Sequence, residues 1–338
     1  MWRFLPLELR LICAYGQPES AWPICGSVLV RDGLAYFAAG RNSFTDGGIF
    51  LYALDPRSGK VVHQKHMYGP YGENGFPIEN KEVVSGMSIE GFKGDVFLAD
   101  DKLLYLRHQP FKFDLSSVKL QDVKQPHLIP SHGFLEAIPQ HRSFWTIDTM
   151  LHYDIPTGFG GVHGDILVID GPRFYEVRGY QPGRTEWFDP RTSGYTLYAG
   201  MYGDVAKAAA GAGKSTAKQD AVGKRTNAKA KAKAAAGRSI APSEKLWSSS
   251  IPLTGKAIAL AGDVLFVAGT PVAFPEGDLA KAYEGRMGGV LWAASASTGE
   301  KLAQYTLDAP PAWDGLAVAN GMLFLSLADG RVVCMGPQ

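Results

Sequence analysis

One phrase recurs along this chain and limits what it can fold into. The first copy is Val28, Val30, a turn at Arg31-Asp32-Gly33, then Leu34, Tyr36 and Ala38. The second is Ile258, Leu260, Ala261-Gly262-Asp263, Val264, Phe266 and Ala268, and the third Leu316, Val318, Ala319-Asn320-Gly321, Met322, Phe324 and Ser326. Apolar residues two apart, a tight polar turn, and apolar residues two apart again describe a β-hairpin. Weaker copies run through Phe97, Ala99, Asp100-Asp101-Lys102, Leu103 and Tyr105, and through Leu167, Ile169, Asp170-Gly171-Pro172 and Tyr175. A repeated hairpin without helices predicts an all-β chain, a β-propeller of four-stranded antiparallel blades. Five to six blades are visible, either as a whole ring or as part of a seven- or eight-bladed one.

The outer half of the blade also repeats. LYALDPRSGK at 51–60 matches LWAASASTGE at 291–300. Asp55 and Ser295 are placed to accept from nearby backbone N–H groups, and Gly59 and Gly299 to supply positive φ. The copies start 69, 70, 91 and 58 residues apart, and the 91 falls to 52 without the segment 205–243. The excess length over a compact blade belongs in loops, chiefly 68–82, 114–128, 149–163 and 270–288. The final copy lacks a fourth strand, and 9–15 (LRLICAY) alternates well enough to supply it. A chain lacking earlier blades is the other reading of the same deficit.

Segment 205–243 is Ala, Lys, Gly, Ser and Thr with almost no large apolar residue. It holds nine Lys/Arg and one acid, so a net charge of +1 conceals a basic insert on an acidic body. With no stripe to pack, it reads as a disordered or partly helical insertion between blades. The domain reading is therefore blades over 1–204, the insertion over 205–243, and the remaining blades over 244–338. The lysines lack interleaved aromatics, which argues against specific nucleic-acid recognition. AAAGAGKS at 208–215 fits a permissive phosphate-loop pattern, but without a strand before it or a helix after it nothing would cradle phosphate.

No run approaches the roughly 18 apolar residues of a membrane span. The N-terminus carries Glu8 and Arg10 within its apolar stretch, unlike a signal peptide. Cys13, Cys25 and Cys334 are an odd set without CxxC spacing, and their apolar neighbours predict buried thiols. Five histidines lie between 127 and 163, with no HxH or HExxH pattern, so no metal ligand is assigned. No GxSxG elbow or catalytic triad can be read from the chain, and no catalytic residue is named.

Candidate ligand-binding residues come from one irregular loop and a few large side chains. AGRNSFTDGG at 39–48 sets Arg41, Asn42, Ser43 and Asp46 beside flexible glycines, either as a binding loop or as a turn that shapes the blade. Trp22, Trp145 and Trp313 either line a pocket or pack between sheets, and Asp314 beside Trp313 carries the same two readings. His163 completes the set.

The TG-terminated outer turn and the G-x-apolar-Tyr/Phe-apolar-Ala/Ser inner strand resemble the quinoprotein-type (PQQ-like) propeller repeat. Residues 20–60 and 313–336 resemble more closely a blade and a C-terminus of large, mostly uncharacterised proteins typical of planctomycetes. BamB-like outer-membrane assembly lipoproteins are more distant relatives of the repeat. The resemblance implies a propeller and an exported protein. The repeat together with the lack of a catalytic constellation predicts a non-catalytic scaffold binding a protein, glycan or other ligand through loops at one face; the alternative is a PQQ-dependent or other redox enzyme with a site in the central funnel, for which the resemblance implies PQQ with Ca²⁺. No two cysteines are adjacent, as many PQQ-dependent dehydrogenases require, and no calcium ligand set can be matched. The cofactor therefore rests on the resemblance alone.

Overall fold

The computed structural model describes residues 3–4, 7–14, 16–24, 26–43, 46–68, 94, 96–106, 109–119, 122–123, 125–130, 145–148, 162–179, 195–202, 242–272, 278, 280–281 and 285–336. Strands β1 (Leu11–Ala14) and β2 (Gln17–Ser20) form a hairpin. The first four-stranded sheet is β3 (Leu29–Arg31), β4 (Leu34–Ala39), β5 (Ile49–Leu54) and β6 (Val61–Met67). Two three-stranded sheets follow: β7 (Phe97–Ala99), β8 (Leu104–Leu106), β9 (Gln109–Phe111); and β10 (His127–Pro130), β11 (Trp145–Asp148), β12 (His163–Gly164). Four-stranded sheets then form from β13 (Ile166–Asp170), β14 (Arg173–Arg178), β15 (Tyr195–Tyr202), β16 (Pro242–Ile251), and from β17 (Ala257–Ala261), β18 (Val264–Gly269), β19 (Gly289–Ser295), β20 (Lys301–Leu307). The last sheet is β21 (Pro311–Ala319), β22 (Met322–Leu327) and β23 (Val332–Met335). Every pairing is antiparallel between chain neighbours, so each sheet is a meander.

The hairpins form where the repeated phrase placed them, and the turn chemistry shows why. Arg31↔Leu34 and Ala319↔Met322 close on two residues with positive φ at both, Asp32 (50°) with Gly33 (78°) and Asn320 (52°) with Gly321 (73°). That backbone matches the twist of paired strands. Ala261↔Val264 and Asp170↔Arg173 need only the first residue positive, and Gly262 (60°) and Gly171 (55°) supply it. The outer turns behave as read. Gly59 N–H donates to Asp55 C=O and Gly299 N–H to Ser295 C=O, each at 2.8 Å. The Arg57 N–H and Ser58 hydroxyl on the Asp55 carboxylate hold its pKa below the usual carboxylate range.

The sheets stack face to face and form an all-β propeller. Tyr36, Ala38, Leu51 and Ala53 of the first sheet pack with Phe97, Leu104, Leu106 and Phe111 of the second. Ile166, Val177, Leu197, Ile258, Leu265 and Val267 join the β13–β16 and β17–β20 sheets. Ala268 and Leu291 pack on Leu316, Leu323 and Leu325 of the last sheet. Trp247 of β16 reaches the next sheet's outer turn, its indole N–H donating to Ala296 C=O at 2.9 Å. A Cβ on Gly299 would sit 2.4 Å from that indole, so the interlock needs glycine for space as well as for its φ of 75°.

Three expectations change. Leu11–Ala14 does not supply the fourth strand of the last sheet; it folds back on β2, with Gly16 at φ 76° in the turn. Cys13 and Cys334 are exposed rather than buried, each on the less covered face of its strand among the described residues; Cys25 lies outside the described residues. The strands flanking the basic segment, β15 and β16, are neighbours in one sheet, so the chain leaves and re-enters within a sheet rather than between two. Residues 203–241, the phosphate-loop look-alike, His132, His141 and His152 lie outside the described residues, as do most of the loops at 68–82 and 149–163.

Candidate functional site

Two groups gather the residues singled out in the sequence. The first lies at the open end of β4 and β5, where the chain must cross from Ala39 to Ile49. Asn42 and Ser43 are buried, and the Arg41 guanidinium pairs with the Glu19 carboxylate on β2. Asp46 (φ 57°), Gly47 and Gly48 turn the loop back. Arg10 Nη1 donates to Asp46 C=O at 2.9 Å, and His66 Nε2 bonds Gly47 C=O at 2.8 Å. Trp22 lies so close over Gly47 that a Cβ there would meet its ring at 2.6 Å. The loop is thus clamped from three sides.

Beside it runs a row of rings. Trp22 meets Phe50 edge-on at 5.1 Å, Phe50 stacks on His66 at 4.1 Å, and His66 stacks towards Tyr68 at 5.8 Å. The Arg10 guanidinium lies 5.9 Å from the Trp22 ring, within cation–π reach. Tyr68 closes the row and is 55% exposed. Such a row offers apolar and polar contact side by side on a rigid sheet.

The second group lies on β11 and β21. Trp145 of β11 and Trp313 of β21 meet with centroids 5.9 Å apart, although two whole sheets separate their own in chain order. A contact that skips intervening sheets is what inward-reaching side chains of a ring produce. Next to Trp313, Asp314 adopts φ 53° where β21 bulges between Pro311 and Leu316. Its N–H donates to Lys256 C=O of the preceding sheet at 2.8 Å. The Ser27 hydroxyl, just ahead of β3, lies near enough to the Asp314 carboxyl to favour its charged form. Ser27 and Asp314 thus bring the approach to β3 near β21. Part of Asp314 remains accessible, yet burial of its carboxyl pushes the pKa up to about 7, with the Ser27 bond opposing. His163 is in β12, paired opposite Thr146, the neighbour of Trp145.

Trp22, Arg41, Asn42, Ser43 and Asp46 thus belong together, and Trp145, Trp313 and Asp314 form a separate group. Sequence reasoning missed the partners Arg10, Glu19, His66 and Ser27, which are distant in sequence and ordinary in type. It also missed Glu176, 0% exposed and paired with Arg178. Burial pushes the Glu176 carboxyl up to about 8, against the pull of Arg178. A glutamate inside the apolar strand FYEVR was the available signal. His127, buried and stacked on Tyr105 at 3.8 Å, is held down to about 4 by burial. Among the described residues, no three His, Cys, Asp or Glu side chains gather as a metal site, and no helix is long and apolar enough to cross a membrane.

The class defined by these sheets is the β-propeller. No protein-family model and no curated protein matches the sequence. Among solved structures, the chain is similar to the computationally designed Ika8 protein at 6% identity and a TM-score of 0.37, covering 91% of this chain and 69% of that one. It is similar to BamB from Moraxella catarrhalis at 13% identity and a TM-score of 0.38, over 95% and 85% of the two chains. Likeness to the quinohemoprotein alcohol dehydrogenase ADHIIG from Pseudomonas putida HK5 is 12% identity with a TM-score of 0.17, over 94% of this chain and 33% of that one. The chain spans about a third of that enzyme's length. The fold assignment rests on the sheets themselves.

Proposed function

We propose that this chain is a non-catalytic propeller scaffold that binds a protein or glycan ligand at the 39–48 loop. One observation supports the reading: Arg10, Trp22 and His66 clamp the loop, so the partly exposed ring row from Trp22 to Tyr68 and the Arg41 side chain beside it are held in place before a ligand arrives. Preorganisation of that kind lowers the ordering cost of binding. The test compares the wild type with Arg41→Ala/His66→Ala/Tyr68→Ala on a glycan array and in cross-linking of extracts. The reading expects specific retention that the triple variant loses while its circular dichroism is unchanged. Equal retention by both proteins would count against it.

A second reading, a redox enzyme with a quinone in the central funnel, draws on Trp145, Trp313 and Asp314. Two rings beside a carboxyl whose pKa lies near 7 can stack a planar group and exchange a proton. The described residues do not fit the calcium that accompanies such a quinone, since Asp314 is joined by a serine rather than by further acids. No step is derived through the group. Near-ultraviolet absorbance after adding PQQ and Ca²⁺ separates the readings: the scaffold retains no quinone band after desalting. The PQQ-like and planctomycete-type kinship belongs with these proposals.

A further inference from the structure

The ring row is one end of a longer stripe that the first sheet turns outward. Side chains two apart along a strand share a face, so Val62, Gln64 and His66 of β6 line one side, with Tyr68 just past the strand. All four are exposed. His63, Lys65 and Met67 take the opposite face, where Met67 joins the core shared with the second sheet. From Gln64 to Tyr68 the stripe runs about 13 Å at the usual rise per residue. Its rings are set by the fold. His66 faces Phe50 across the ladder and lies 6° from its plane, and Tyr68 lies 5° from the plane of His66. A Cβ on Gly48 would come within 2.9 Å of Tyr68 Cα and Cβ, so the loop backbone braces the root of that tyrosine. Gly47 C=O can only accept, so the His66 bond to it places a proton on Nε2. In the neutral ring Nδ1 is then an acceptor of fixed direction.

Charge and geometry together name the ligand. Val62, Gln64 and Tyr68 are uncharged side chains. Beside them Arg41 is matched by Glu19, and Arg10, laid on Trp22, bonds the loop that carries Asp46. Two cations are thus balanced by two acids, and neither a polyanion nor a polycation meets an excess of opposite charge. Extended peptides are commonly read through backbone bonds along a strand edge, whereas these groups stand on the face of the sheet. A neutral polyol suits them: a ring face for its C–H groups, and an amide, an imidazole nitrogen and a phenol for its hydroxyls. We infer that Gln64, His66 and Tyr68 are the contact stripe for a neutral oligosaccharide. One sugar ring stacks on Tyr68, and hydroxyls bond the Gln64 amide and donate to His66 Nδ1. The inference rests on the scaffold reading and names the ligand class of that same site.

Calorimetric titration of the full chain tests this. The neutral probes are cellohexaose, maltohexaose, xylohexaose and mannohexaose; hexagalacturonic acid is the charged arm, and a displayed library of random dodecapeptides the peptide arm. At least one neutral probe should bind, with an affinity that changes little between low and high salt. Tyr68→Ala should weaken it by on the order of tenfold, the loss of one stacked ring, while Tyr68→Phe, which keeps the ring face, retains most of it. Gln64→Ala should also weaken binding. Tyr305→Ala, which removes a ring 50% exposed on β20 of another sheet, should leave it unchanged. Binding confined to the acidic probe, equal loss in Tyr68→Ala and Tyr305→Ala, or no glycan bound overturns the inference. A selected peptide that Tyr68→Ala releases would overturn the glycan assignment and leave the scaffold reading standing. No ligand in either arm would remove both.

Discussion

Asp314 brings a left-handed backbone and a poorly solvated carboxyl together in one residue. Its folded pKa of about 7 exceeds the ordinary 3.8, so the folded chain holds a proton that the unfolded chain releases. The stability this group contributes is fully present below pH 4 and is lost as pH rises through 7. Glu176 acts in the same direction, its loss extending through about pH 8. The thermal midpoint should therefore fall between pH 5 and pH 8.5. Asp314→Asn should remove part of that fall, on the order of 2–4 kcal/mol at the alkaline end. An unchanged pH profile in Asp314→Asn would show that the carboxyl is well solvated.

At the scale of elements, the turns decide the register and the interlocks between sheets. Gly299 and Gly262 both have positive φ, but only Gly299 has an indole where a Cβ would go. Gly262→Ala should cost about 1 kcal/mol of strain, whereas Gly299→Ala should cost roughly 2–4 kcal/mol, strain plus overpacking against Trp247. Urea midpoints of the two variants check the order. Those glycines, like Asp32-Gly33 and Asn320-Gly321, were legible in the sequence because turn chemistry is local. The strand at Leu11–Ala14 was legible as a strand but not in its partner, since alternation specifies a face and leaves pairing open. Of the candidate site, the loop residues could be read from glycine and polar composition. Arg10, His66 and Ser27 could not, because what recruits them is proximity across the fold. Glu176 could have been found as a charge inside an apolar strand.

The whole molecule depends on sheets packed in a ring, with Trp145 meeting Trp313 inside it and Ser27 meeting Asp314 where the first sheet adjoins the last. The clamped loop and the proposed scaffold role both take their positions from that arrangement. The most direct measurement is oxidation of Ser27→Cys/Asp314→Cys, with the three native cysteines replaced by serine, read by mobility on a non-reducing gel and by peptide mapping. A ring predicts rapid, concentration-independent formation of one intramolecular disulfide between residues 27 and 314. Sheets stacked in an open row would leave those thiols far apart, and a product that stays reduced or links only between molecules contradicts the account.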